Sequence, residues 1–390
     1  MRTVHPLVAT LLCSLVVAAG CTGQPTPSGT VQPSAPSSAA TPPLTLFPSA
    51  RQAALYSALS QTRTELGFPG AIVGVWEGGA EWVGTTGTAG PDGRAIARGD
   101  HSRIGSITKT FTVTLLLQLV EEGRVTLEDT LASYLPGLPN GDTATLRHLA
   151  SMTSGITSYT AVDAFTDAYF ANPAHVWTVT EIVELIRTTT PQFPAGSKVQ
   201  YSNSNTVLLG LIIEKVTGKP FATVLQERIL DPLGLKNTSF PATASLPAPY
   251  LSGITEQGAV EGTTTNATNW SPSFAFTAGQ MVSTLDDLHR WADALCTGKG
   301  ILKPETHQLR LDSLSSTVEG NTSARTYGLG IGLTSGWIGH TGEIPGYNTV
   351  LQCNRTTGAV IVVLVNSDVP VGSVNPAVGV FTKTVEVLTR

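Results

Sequence analysis

The sequence predicts an α+β fold: one antiparallel sheet made from both ends of the chain, with a helical lobe inserted between them. Three observations carry this expectation. Strand-like runs occur early, at 71–76 and 81–85, and again late, at 327–333, 336–340, 348–353 and 359–365. Between about 124 and 300, apolar residues recur mostly at helical spacing. The chain has 390 residues, too many for one compact core, so two lobes with a cleft between them are expected, and the cleft is the default place for a site.

Residues 1–20 read as an export signal. Arg2 gives a positive start, Leu7 to Ala19 is apolar, and Ala18, Ala19 and Gly20 are small. The apolar run is too short to span a bilayer comfortably. Val17-Ala18-Ala19-Gly20-Cys21 resembles a bacterial lipobox, which makes Cys21 the expected lipid anchor and the first mature residue. The alternative is an ordinary secretory signal with an incidental cysteine. Residues 22–45 carry no charge and are rich in Pro, Ser, Thr, Ala and Gly, a composition that cannot bury a core and suits a tether. The expected organisation is a signal (1–20), a lipidated tether (21–45) and one folded body (46–390). The body would stand on the outer face of the cell membrane, or be secreted.

Residues 49–66 suit an amphipathic helix with Ala54, Leu55, Leu59 and Leu66 on one side, stopped by Phe68-Pro69-Gly70. Gly78-Gly79 joins the first two strands as a hairpin. Next comes Arg103-Ile104-Gly105-Ser106-Ile107-Thr108-Lys109-Thr110-Phe111, followed at once by an apolar run. Phe111, Leu115, Leu116, Leu119 and Val120 recur at helical spacing, and Gly123 ends the pattern. Ser106 and Lys109, three apart, share a helix face. A serine hydroxyl is a weak nucleophile until a base takes its proton, and a neutral lysine one turn away can do so. Burial and the positive end of the helix dipole both lower a lysine's pKa there. The same pair also reads as an N-capping serine and a snorkelling lysine.

Helical patterns follow at 145–152, 180–188, 206–217 and 220–230, then long polar loops around 237–270. Tyr201 and Asn203 lie on a loop just before the 206–217 helix. A tyrosine can relay a proton if neighbouring cations lower its pKa, and an asparagine can both donate to and accept from an acyl amide. Packing and helix capping are the alternative roles. Gly339-His340-Thr341-Gly342 ends a short strand, where a basic residue, a hydroxyl and a glycine on an exposed edge could meet an extended acyl substrate, Gly342 giving the substrate backbone room. His340 also reads as a plain surface histidine. Residues 375–389 suit a closing helix. Cys13 leaves with the signal, and Cys296 and Cys353 are expected to bridge in an oxidising compartment, with two separate buried thiols as the alternative.

Composition excludes other classes. Charged residues make up 13 %, the net charge is -5, and no Lys/Arg run occurs, so no nucleic-acid partner is expected. No His-Glu-x-x-His motif is present and neither metal nor cofactor is called for. No Gly-x-Ser-x-Gly occurs either, which argues against a classical α/β-hydrolase.

Ser-x-x-Lys at 106, Tyr-x-Asn at 201 and His-Thr-Gly at 340, in that order, resemble the motif set of the serine β-lactamases and penicillin-binding proteins, in particular the class C β-lactamases and D-alanyl-D-alanine peptidases. The likeness extends along the mature chain, through Thr145-Leu146-Arg147-His148-Leu149, Phe193-Pro194-Ala195-Gly196, the 209–218 helix and Asp231-Pro232-Leu233-Gly234. It is greatest to the exported D-Ala-D-Ala carboxypeptidase type that carries His-Thr-Gly. The resemblance implies a β-lactamase/transpeptidase-like fold with Ser106 as acylated nucleophile, Lys109 as proton acceptor and Tyr201 sharing that proton. It further implies Asn203 on an acyl amide, His340 beside Tyr201, Thr341 on a substrate carboxylate, and an oxyanion hole from the Ser106 and Glu343 main-chain N–H groups.

The expected partners are a small acyl substrate (peptide, ester or β-lactam), the membrane through its lipid, and peptidoglycan. The first expectation is a D-alanyl-D-alanine carboxypeptidase-like penicillin-binding protein. An esterase and a class C-like β-lactamase are alternatives of the same fold, and a non-catalytic cell-wall-binding lipoprotein is the alternative of another class. Two departures from the carboxypeptidase pattern favour an ester substrate. The strand before the third motif, Gly330 to Thr334, carries no basic residue, and Glu343 stands where a hydroxyl residue is usual, so that it would repel a carboxylate if it faced the cleft.

Overall fold

The computed structural model describes residues 44–390; the signal, Cys21 and all but the end of the tether lie outside the described residues. The main sheet has eight strands, in the spatial order Thr45–Leu46, Ala80–Gly87, Gly70–Glu77, Val360–Val365, Tyr347–Asn354, Trp337–Ile344, Gly332–Thr334 and Arg325–Tyr327. The two chain ends meet where Gly70–Glu77 pairs antiparallel with Val360–Val365. Every pairing is antiparallel except that of the short Thr45–Leu46 strand, which runs parallel to Ala80–Glu81 and makes the sheet mixed at one edge.

The apolar strand runs reflect burial on both faces. Val73, Val75, Ile361 and Val363 pack into one cluster, under the helices Ser49–Leu66 and Pro376–Leu388. Their neighbours Ile72, Val362 and Leu364 point the other way, into the larger core shared with the lobe. In the first helix Leu55 and Leu59 are buried as expected, but Ala54 is exposed and Thr62 takes the inward position, its hydroxyl donating to the Ala58 carbonyl.

Two segments differ from the sequence-based expectation in ways that shape the site. The helix Leu285–Thr297, inside the 124–300 stretch, packs its Leu288, Trp291 and Leu295 side against the sheet. Cys296 at its end is bonded to Cys353 of the Tyr347–Asn354 strand, closing a loop of 57 residues. A loop of that length restricts the unfolded chain by about 4 kcal/mol. The strand that carries His340 also does not end there. It continues to Ile344 and turns through Pro345-Gly346 into Tyr347–Asn354. Of the His340 strand only Trp337–Gly339 pairs with the neighbouring Gly332–Thr334 strand, so 340–344 keeps one free edge.

Candidate active site

Ser106 sits in the 3-10 turn Gly105–Ile107, which leads directly into the helix Thr108–Glu121. The helix forms because nearly every side of it is apolar or a small hydroxyl and can be buried; Phe111, Leu115, Leu116 and Leu117 are wholly inaccessible. The turn is pressed against the free edge of the His340 strand. Gly105 has φ +49°, and a Cβ there would lie 2.7 Å from the Glu343 nitrogen, so only glycine fits. Gly342 completes the approach from the other side. A Cβ on it would lie 2.0 Å from the Ile104 carbonyl oxygen and 2.2 Å from Thr349 Oγ1. The room expected for a substrate backbone at Gly342 is therefore taken by the protein's own chain; this glycine seats the Ser106 turn.

The Lys109 side chain is fully buried beneath Ser106. Its Nζ lies 2.9 Å from Ser106 Oγ, 2.7 Å from Asn203 Oδ1 and 2.7 Å from the Ala278 carbonyl oxygen. Burial pushes the amine well below the usual lysine range. A neutral amine has two N–H groups and one lone pair. The amide and carbonyl oxygens can only accept, so they take the two N–H groups and leave the lone pair to the Ser106 hydroxyl. Tyr201 OH lies 2.7 Å from the same Oγ and donates to it. The three groups form one directed chain, from Tyr201 through Ser106 to Lys109.

Tyr201 keeps 44 % of its surface open. Even so, loss of hydration raises its phenol above the ordinary tyrosine value and outweighs the opposing effect of the hydrogen bond it shares with Ser106. The phenol is not acidified by neighbouring cations as the sequence suggested, because burial pushes both would-be cations, Lys109 and His340, toward their neutral forms. His340 is 6 % exposed and burial pushes it down to about 3. Its Nδ1 faces the Thr341 carbonyl, an acceptor, so Nδ1 carries the proton and Nε2 accepts from Tyr327 OH at 3.0 Å. His340 is thus a neutral, fully engaged ring inside the wall, where a basic or surface residue was expected.

Asn203 opens the helix Asn203–Thr217. Besides holding Lys109 by Oδ1, it donates from Nδ2 to Thr160 Oγ1 at 3.0 Å, and its N–H donates to Ser158 Oγ at 3.1 Å. Its carboxamide oxygen is occupied by the lysine; the role on a substrate amide is limited to the remaining N–H.

Thr341 and Glu343 are exposed, two apart on one face of the strand, and both line a cleft of about 1020 Å³ that also receives Ser106 and Tyr201. In a two-residue hairpin the flanking pair, here Ile344 and Tyr347, exchanges main-chain bonds. Alternation along the ladder then turns the N–H groups of Glu343 and Thr341 toward the free edge beside Ser106. Glu343 does face the cleft. Its Oε2 accepts from Asn375 Nδ2 at 2.7 Å, and although the residue keeps open surface, the cleft walls strip hydration from its carboxyl and raise it above the ordinary value, partly countered by that bond. Sequence reading missed Thr160, Ser158, Ala278, Tyr327 and Asn375, all brought in by tertiary packing. It also missed Arg325, a cleft-lining cation on the outermost strand.

A family model described as Beta-lactamase matches residues 55–378. Putative penicillin-binding protein PbpX of Bacillus subtilis (strain 168) is 26 % identical over 282 residues, 70 % of this chain and 64 % of that protein. The chain spans about half to two thirds of the length of the curated relatives it matches. Among solved structures, a D-stereospecific amidohydrolase from Streptomyces sp. is similar with 32 % identity and a TM-score of 0.76, covering 86 % of this chain and 97 % of that one. D-amino acid amidase from Ochrobactrum anthropi SV3 shows 26 % identity and a TM-score of 0.77, over 87 % and 99 %.

Proposed function

The chain belongs to the beta-lactamase family and is a serine hydrolase, and from that premise we propose that it acts through an acyl-enzyme on Ser106 and cleaves amides of small D-amino-acid substrates. The carrying observation is the directed Tyr201–Ser106–Lys109 chain at 2.7 and 2.9 Å beside a free strand edge. The substrate class is supported by the two similar structures named as D-stereospecific amidohydrolase and D-amino acid amidase.

In this reading two groups pushed in opposite directions divide the work. Lys109, with its lone pair free, takes the Ser106 proton as Oγ attacks the carbonyl. The Ser106 and Glu343 N–H groups receive the oxyanion. Tyr201, held protonated, gives its proton to the departing nitrogen. The water that resolves the acyl-enzyme returns a proton to the tyrosinate, and Lys109 returns the other to Ser106 Oγ. Acylation and deacylation then balance, and both groups are reset.

The sign of the pH dependence follows. The base works when neutral, so kcat/KM is full above the lowered lysine value and is lost as pH falls through it. The acid works when protonated, so activity is lost only above the raised tyrosine value. A pH profile on an uncharged ester is expected to show its acid limb below the ordinary lysine range and no alkaline loss until above the ordinary tyrosine range. An acid limb in the usual lysine range near pH 10 would contradict the neutral base.

The carboxypeptidase reading stands second, supported by the relative named as a penicillin-binding protein and by Thr341 open to the cleft. Glu343 counts against it, because it sets an acid where a substrate carboxylate would come. Ammonia release from D-phenylalanine amide, set against D-alanine release from an acyl-D-Ala-D-Ala peptide, separates the two. The amide is expected to be turned over at least about tenfold faster, a difference of about 1.4 kcal/mol in barrier. Preference for the peptide would overturn the amidase reading. Export and lipid anchoring at Cys21 remain part of the proposal; a membrane-fraction assay of the full chain against Cys21→Ser tests them.

A further inference from the structure

Glu343 lies where it can read the charge of a substrate. Its main chain abuts the turn that carries Ser106, and its side chain opens onto the cleft. One carboxylate oxygen, Oε2, accepts from Asn375 Nδ2, and the main chain of Asn375 is held at the start of the helix Pro376–Leu388, where its carbonyl accepts from the Gly379 N–H at 2.9 Å. The acid is therefore braced, and it has no ion-pair partner among the described residues.

The other ionisable groups of this wall do not compensate its charge. Lys109 is fully buried, its Nζ held by Ser106, Asn203 and the Ala278 carbonyl and pushed by burial toward the neutral form, and His340 is engaged on both ring nitrogens. Arg325, the cation of the cleft, is in the row of Thr334 and Trp337, six residues along the strand from Glu343. That places it on the order of 20 Å away. A carbonyl docked between Ser106 Oγ and the Glu343 N–H thus has the Glu343 carboxyl, which forms no ion pair among the described residues, within a side chain's length.

We propose that Glu343, braced by Asn375, is a specificity-determining residue that selects acyl groups carrying a cationic amino group beside the scissile carbonyl and rejects those carrying a carboxylate there. This rests on the amidase reading and deepens it, since a free amino-acid amide carries such an ammonium. The selection is electrostatic and acts in a cleft open to solvent, so it weakens with salt.

Three amides with the same scissile bond and different charge provide the test: D-phenylalanine amide, its N-acetyl derivative and its N-succinyl derivative. In the wild type at low salt, kcat/KM is expected to fall by about tenfold or more from the cationic to the neutral amide and again to the anionic one. In Glu343→Gln the ratio across the series is expected to shrink to within about threefold, and Asn375→Ala to give an intermediate ratio. A ratio is unaffected by a general loss of turnover. An unchanged ratio in Glu343→Gln, or no charge order in the wild type, would overturn the proposal.

If turnover in Glu343→Gln is too slow to follow, dissociation constants of the same amides for Ser106→Ala and Ser106→Ala/Glu343→Gln, measured by calorimetry, give the ratio directly. Those binding constants also separate two failures. Charge-ordered binding without amide turnover would sink the amidase reading and leave the selector in place. Turnover without charge order would do the reverse.

Discussion

Replacing Lys109 with methionine is expected to lower kcat/KM by about 10⁴-fold, the upper range for a positioned base acting on its nucleophile. Methionine nearly matches the lysine stem and keeps the fully buried site filled. What it removes is the lone pair facing Ser106 Oγ at 2.9 Å. It also leaves Asn203 Oδ1 and the Ala278 carbonyl without their donor. Each orphaned acceptor costs about 1–3 kcal/mol, set against the relief of no longer burying an amine. The protein should still fold, as a thermal unfolding curve run beside the kinetics will report. Lys109→Arg sharpens the argument, because a guanidinium cannot give up its proton. If the lysine served as a positive charge, arginine would rescue part of the rate; as a neutral base, it leaves arginine as inactive as methionine. Activity within about tenfold of wild type in Lys109→Arg would contradict the assignment.

Ser106→Ala carries the other large effect. Loss of the nucleophile from an acyl-transfer site costs about 10⁶-fold in kcat, leaving what the oxyanion donors and substrate positioning supply alone. The substitution removes one oxygen from a half-buried position, and the turn is held by Gly105 and Gly342 instead of by the hydroxyl. Structure and substrate affinity should therefore survive. That combination separates an enzyme from a family member that only binds cell-wall peptide. A binder would keep all of its measurable behaviour in Ser106→Ala, whereas a hydrolase would keep affinity and lose turnover.

The sheet and the Ser106 helix were legible because their patterns are local. The 71–76 and 359–365 runs are apolar at every position that two covered faces require, and the run after Lys109 has no polar face to put in water. Ser-x-x-Lys placed two side chains on one helical turn from spacing alone, and the structure brings Tyr201 and Asn203 to them. The electrostatic state of the site was not legible. His340 looks basic until Tyr327, from another strand, and the Thr341 carbonyl are seen to occupy both ring nitrogens. Tyr201 looks acidifiable until burial is seen to push its two would-be cations toward their neutral forms. Gly342 looks like room for a substrate until Ile104 fills it. The helix Leu285–Thr297 reads as part of the lobe because periodicity reports an apolar face but not what covers it. Each of these depends on a contact between residues far apart in sequence, which one-dimensional spacing does not carry.

On this mechanism a covalent acyl group forms on Ser106. The most direct test is to mix residues 44–390 with a chromogenic D-amino-acid ester, quench in acid within the first turnover, and map the acyl group by peptide mass. The predicted result is one acyl group on the peptide containing Ser106, absent in Ser106→Ala. An acyl group on another residue, or equal labelling of Ser106→Ala, would contradict it.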